Sequence, residues 1–213
     1  MHRVVHRGSL VLLMFAVLIA AVATTADAGK KYPEPSIYPI KWELDFKHGQ
    51  PRRVVVNSIG YWYFTYTVTN STGQDQLWAP DFKMMANDGT ILPSDRNIPG
   101  EVFDRIKGME KNRFLEPANH IAGTLRQGPD QARDGVAIWK EPNPRMGDFK
   151  IFVGNLSGEY AILTDDDGKE MKTPDGEPMI VRKTLKLDYA VYGDEFYPER
   201  HEVHELGHEW VMR

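Results

Sequence analysis

The sequence predicts a mainly β fold, an antiparallel β-sandwich carrying one inserted helix and a short C-terminal helix. Three observations carry this. Residues 61–69 form an unbroken β-branched and aromatic run. Similar short runs recur along the chain between turn residues, the pattern of an antiparallel sandwich. A single stretch, 99–114, shows apolar spacing of three and four in place of two.

In the 61–69 run, period-two alternation sets Trp62, Phe64, Tyr66 and Val68 on one face and Tyr61, Tyr63, Thr65 and Thr67 on the other. The first face is the expected core. Asn70-Ser71-Thr72-Gly73 then reads as a turn, because Asn and Gly tolerate positive φ and Ser and Thr bond the local backbone. Further strands are expected over 37–46, with Trp42, Leu44 and Phe46 alternating, and over 52–56, 77–85, 136–139 and 149–153. Asn87-Asp88-Gly89 and Asp165-Asp166-Asp167-Gly168 read as tight reversals. The longest late strand spans 180–192, where Val181, Leu185, Leu187, Tyr189 and Val191 alternate with Arg182, Thr184, Lys186 and Asp188; Lys183 interrupts the apolar set.

The helix over 99–114 places Val102, Phe103, Ile106 and Met109 on one stripe, with Pro99 at its start and Glu101 and Asp104 near its positive end. It is an insertion or a cover over one end of the sandwich. Segments 127–133 and 140–147, with Gly128-Pro129 and with Pro142 and Pro144, read as loops.

Composition bounds the function. The chain has 213 residues, 26 Lys plus Arg against 30 Asp plus Glu, and no cysteine. A general nucleic-acid binder needs a concentrated basic excess, and none is present. Without cysteine there is no disulfide framework, thiolate zinc site, catalytic thiol or cysteine lipid anchor. Arg3 and Arg7, the 14-residue apolar run 10–23 and Ala26-Asp27-Ala28 have the layout of a secretory signal peptide, residues 1–28. Fourteen apolar residues fall short of the roughly 20 a membrane-spanning helix needs. Cleavage after Ala28 leaves residues 29–213 as a single domain and takes the formal charge from −4 to −5, since Arg3 and Arg7 leave with one acid, Asp27. The expectation is an exported protein, periplasmic or extracellular, without a membrane span in its mature part. Export without cysteine points to a bacterial source.

The motif with a named mechanism is His204-Glu205-Leu206-Gly207-His208. On a helix, positions i and i+4 face the same way, so two imidazoles can hold one zinc while the glutamate between them serves as general base. The five residues resemble the zinc metalloprotease motif, which would make Glu205 catalytic and His204 and His208 ligands. In matrixin-like metalloproteases a glycine follows where Val211 stands here. His201 could be a third ligand, since 201, 204 and 208 lie within about 60° around a helix, yet 201 and 208 are roughly 10 Å apart along its axis. The competing reading starts a plain surface helix near Pro198, Glu199 and Glu202, ends it at Gly207 as a left-handed cap, and docks 209–213 as a final strand through Trp210 and Met212. In that reading there is no metal and no catalytic residue.

Other candidates have ordinary counterparts. A calcium loop ending its first half at Gly168 would need acids where Leu163 and Pro174 stand, so 165–168 reads as a solvated hairpin. Asp194 and Glu195 are paired carboxylates near the histidines, in a segment that also reads as a turn. Tyr61, Tyr63 and Trp78 could form an outer aromatic platform for sugars or partner loops, or serve as cross-strand packing. Asn70 and Asn155 head permissive glycosylation sequons.

The run from Trp62 through Trp78 and Phe82, the 149–157 segment, and Arg182-Lys183-Thr184-Leu185 leading to Gly193-Asp194-Glu195 resemble uncharacterised secreted bacterial proteins with an immunoglobulin-like sandwich. That resemblance implies a non-enzymatic envelope or extracellular interaction module binding a protein or glycan, with no cofactor. The alternative is a zinc-dependent metallohydrolase using the C-terminal motif.

Overall fold

The computed structural model describes residues 32–142, 147–193 and 202–213. The expected signal peptide lies outside the described residues, as do His201, Asp194 and Glu195. Among the described residues no helix is long and apolar enough to cross a membrane.

The strands are β1 (Asp45–His48), β2 (Arg52–Val56), β3 (Ile59–Thr69), β4 (Gln76–Trp78), β5 (Asp81–Met85), β6 (Ile91–Pro93), β7 (Glu116–Pro117), β8 (Gly123–Leu125), β9 (Arg133–Lys140), β10 (Phe149–Gly154), β11 (Tyr160–Ile162), β12 (Ile180–Tyr192) and β13 (Glu202–Met212). Two helices, α1 (Gly100–Glu110) and α2 (Ala118–Ile121), complete the set with a 3₁₀ turn at Pro129–Gln131. The fold is mainly β, as expected, and its pairings are antiparallel except for the short β7–β9 contact. One sheet runs β1-β3-β9-β7, with β2 also on β3; the other runs β11-β12-β10-β5-β6, with β13 also on β12. A separate pair joins β4 to β8.

The expected core face of β3 packs between the sheets. Trp62, Phe64, Tyr66 and Val68 share one cluster with Phe82 and Met84 of β5, Phe149, Ile151 and Val153 of β10, and Leu185, Leu187 and Tyr189 of β12. The opposite face is buried too. Tyr61 and Tyr63, with Val54, Val136 and Ile138, lie under Val102 and Ile106 of α1. The inserted helix therefore acts as a third layer on the first sheet. Its stripe holds at Val102 and Ile106, while Met109 is exposed. Pro99 sits one position outside the helix as an extended N-cap, and Lys111 closes the far end in the left-handed region, its N–H bonded to the Lys107 carbonyl. Asn57 and Ser58, both at positive φ, form the two-residue reversal between β2 and β3.

Several expectations are corrected. Of the expected 37–46 strand only Asp45 and Phe46 lie in a named strand, β1; Ile37 and Tyr38 are exposed, and Glu43 makes a single bridge to Ser157. Ala79-Pro80 splits the expected 77–85 strand into β4 and β5. The aromatic platform is absent: Tyr61 and Tyr63 are under α1, and Trp78 is buried against Tyr66 in an edge-to-face contact. Asn70 is fully buried and bonds the Gln74 and Leu125 carbonyls, so its side chain closes the turn.

The largest correction is at the C-terminus. The expected short helix is strand throughout 202–212. β13 pairs with β12 from Lys183↔Met212 to Tyr192↔Glu202, with a bulge at Leu206. The long edge of β12 offers a ladder to the tail on both sides of that bulge, and Val203 and Trp210 gain core contact on it. That pairing outweighs a weak local helical preference. The final docking is as expected, with Met212 buried and Trp210 partly so.

Candidate functional site

Strand geometry changes what the C-terminal motif can do. At about 3.3 Å per residue, His204 and His208 are separated by roughly 13 Å along β13, where a helix would have stacked them one turn apart. Each imidazole is beside its own carboxylate: His204 Nε2 is 3.4 Å from Glu202 Oε2, and His208 Nδ1 is 3.1 Å from Glu205 Oε1. His204 also meets the Tyr192 ring edge-on. Among the described residues no three His, Asp or Glu side chains are grouped to hold a metal ion. The carboxylates of 165–167 lie on a hairpin closed by Asp165 N–H to the Lys169 carbonyl and by Gly168 at φ +78°.

Two concavities lie on the first sheet. The smaller, about 300 Å³, is lined by His48, Thr67, Glu110, Asn112 and Asp134 among others. Its acids are already engaged. Tyr63 donates its hydroxyl proton to Glu110 (2.8 Å), which also meets Arg52 at 2.9 Å; Thr67 and Asn112 donate to Asp134 at 2.7 and 2.8 Å. Burial, with help from Glu110, pushes the Tyr63 phenol up to about 12. These bonds tie the end of α1 to β3 and β9.

The larger is a groove of about 780 Å³ that follows the outer edge of β2. That volume is in the range of ligand-holding clefts. One wall is α1, through Arg105 and Met109; the other is the start of β13, through Glu202, Val203 and His204. Trp62 contributes to the floor, and Arg52, Arg53 and Val55 come from β2 itself.

Its donors are built up by the sheet. Opposed residues of an antiparallel pair share a face. Arg52 opposite Tyr63 is therefore on the α1 side, and Arg53 opposite Trp62 is on the inter-sheet side. Glu110 holds Arg52 firmly charged, raising its pKa further, and the Arg52 side chain is well exposed. Arg53 grips Glu141 with Nε and Nη2 at 2.6 and 2.7 Å. Gly60 makes this grip possible, because a Cβ there would lie 2.0 Å from Glu141 Oε2 and 2.7 Å from Arg53 Nη2. Arg105 is exposed and makes no ion pair among the described residues. Trp62 is 0% exposed, stacks obliquely on Phe149, and its indole Nε1–H meets no acceptor among the described residues.

Among the described residues the groove's lining carries three arginines and one carboxylate, Glu202, with Arg52 and Arg53 paired to Glu110 and Glu141. Of the candidate site residues that are described, His204 lines it. The arginines were legible as an adjacent Arg52-Arg53 pair on a strand and as Arg105 on the polar side of a helix, but nothing local joined them. Compared with known proteins, the chain matches no protein-family model, no curated protein and no solved structure.

Proposed function

We propose that this chain is an exported, non-enzymatic interaction module, with its sheets arranged as an immunoglobulin-like sandwich, that binds a protein or glycan of the bacterial envelope or the extracellular space. The groove along β2 is its ligand seat. One observation carries the reading: the groove gathers Arg52, Arg53 and Arg105 around one strand edge, with Trp62 in its floor. Charge-assisted donors placed beside an apolar floor are equipment for holding and orienting an acceptor-rich ligand. Two sheets sharing a core support the sandwich, and the layout of residues 1–28 supports export.

The test compares the full chain with Arg105→Glu, immobilised side by side and exposed to fractionated envelope proteins and to a glycan panel. At least one ligand held by the unaltered chain and lost by Arg105→Glu is expected. Identical retention by both would refute the groove as the seat.

A further inference from the structure

We propose that the outer face of the second sheet holds a phosphate pocket, in which Arg182 and Arg213, with Lys83 in the same lining, take a phosphate group either free or as a monoester. The pocket is built from β5, β10, β12 and Arg213, which follows β13, so it neither uses nor depends on the groove along β2.

The sheet sets two like charges opposite each other. Arg182 and Arg213 exchange backbone N–H to carbonyl bonds at 2.8 and 3.0 Å, so their side chains share one face, with Cα atoms about 5.5 Å apart. Elsewhere on this face the opposed charges differ in sign: Lys186 meets Glu209 and Lys150 meets Asp188, both at 2.6 Å. Like charges directly opposite destabilise a sheet, and among the described residues neither Arg182 nor Arg213 makes an ion pair. An anion held by both removes that repulsion.

The two guanidinium groups border a cavity of about 220 Å³, lined also by Asp81, Lys83, Phe152 and Thr184 among others. β12 lies between β13 and β10, so the Arg213 side chain crosses it to stack on Phe152, its Cζ 3.9 Å from the ring centre. Stacking fixes the guanidinium plane and leaves its edge N–H groups to donate. One of these nitrogens, Nη1, is buried and meets no acceptor among the described residues, a deficit that a neighbouring oxyanion would relieve. Arg182 is exposed, and Lys83 is tied to Asp81 at 3.0 Å. Three cations against Asp81 leave the lining side chains with a surplus of +2, in a chain of formal charge −4. At roughly 30 Å³ per water the cavity has room for about seven waters, too little for a drug-sized ligand and enough for one tetrahedral group. A phosphate monoester at neutral pH carries a charge of about −1.5 to −2 on three strong acceptor oxygens, which matches the surplus; a carboxylate or a sulfate monoester is singly charged.

The experiment titrates the full chain by calorimetry, at neutral pH and constant ionic strength, with inorganic phosphate, glycerol phosphate, a sulfate monoester and acetate. Phosphate, free or as the ester, is expected to bind at one site and to lose about tenfold or more in affinity on Arg182→Gln. Arg182 is exposed, so its replacement leaves the core untouched. Arg213→Gln should weaken binding to a similar extent, whereas Lys186→Gln, which removes a cation from the same face, should change it less than about twofold. The urea midpoint of the unaltered chain should rise with phosphate, and that of Arg182→Gln should stay level. Tighter binding of glycerol phosphate assigns the pocket to an esterified phosphate, and binding of inorganic phosphate at least as tight assigns it to the free ion; both support it. Absence of saturable binding, unchanged affinity in Arg182→Gln, or an equal loss in all three variants would overturn the pocket. A sulfate monoester or acetate held as tightly as phosphate would overturn the assignment to phosphate.

Discussion

Replacing Lys183 by methionine tests how the first segment of the chain is held to the second sheet. Lys183 is 1% exposed on the otherwise apolar face of β12. Its ammonium donates to the Ser36 carbonyl at 3.0 Å, lies 3.0 Å from Glu43 Oε2 outside hydrogen-bond geometry, 3.6 Å from Glu159 Oε2, and 4.8 Å from the Trp210 ring centre. Ser36 answers by donating its backbone N–H (2.8 Å) and its hydroxyl to Glu159. Methionine keeps the length of the stem and removes the charge, leaving Glu159 buried without a cation. Breaking a buried pair costs about 3–5 kcal/mol; because Glu43 is partly solvated, the lower end, about 3 kcal/mol, is expected. In equilibrium urea denaturation, with a slope near 2 kcal/mol per molar, the midpoint should fall by roughly 1.5 M. Lys183→Met with Glu159→Gln should recover about 1 kcal/mol or more, since the stranded charge is gone. Acid titration gives an independent reading. Burial alone would raise the Glu159 carboxyl, but the Ser36 bonds and Lys183 prevail and hold it below its ordinary value. Its stabilising contribution is present above the unfolded carboxyl pKa and is lost as pH falls through the lowered folded one. A midpoint shift below about 0.3 M, or a double variant no more stable than the single, would refute the reasoning.

Asp95 is expected to behave in the opposite sense: burial pushes its carboxyl up to about 6 from 3.8, against hydrogen bonds from Ser94 and the Ile138 N–H, so folding is favoured at low pH and weakened as pH rises between these values. Asp95→Asn should remove that loss, worth about 2–3 kcal/mol at neutral pH, visible as a gain in urea midpoint at pH 7 that disappears by pH 4. Gly60→Ala should push Glu141 off Arg53 and cost about 1–3 kcal/mol, and Gly60→Ala combined with Glu141→Ala should restore part of it in the same assay. Metal analysis of the purified chain should find no stoichiometric zinc, and His204→Ala and His208→Ala should leave thermal stability in added zinc unchanged; a shared ion would make both variants lose the same stabilisation.

The parts of the fold read correctly were those whose signal is local. The 180–192 alternation marked β12 to its ends, and the core face of β3 followed from Trp62, Phe64, Tyr66 and Val68. The insertion was visible in Val102 and Ile106, but where it docks is a tertiary fact. That is why Tyr61 and Tyr63 read as an open face and are covered. The tail was misread because His204 and His208 have helical spacing, whereas the ladder with β12 depends on residues about twenty positions away. Lys183 stood out in sequence as a break in an apolar set, yet its partners Ser36, Glu43 and Glu159 are remote along the chain. The groove has the same character, since β2, α1 and β13 meet only in the fold.

The most direct measurement follows the Trp62 indole N–H in the ¹H–¹⁵N spectrum of the full chain, assigned with Trp62→Phe, while a ligand retained in the envelope comparison is added. Among the described residues Trp62 and Trp78 both carry buried indole N–H groups without an acceptor, and of the two Trp62 borders the groove. A shift of the Trp62 resonance that saturates with that ligand, with Trp78 unmoved, is the expected result. Saturable binding that leaves Trp62 where it was, or that moves Trp78 equally, would contradict the groove as the place where this chain meets its ligand.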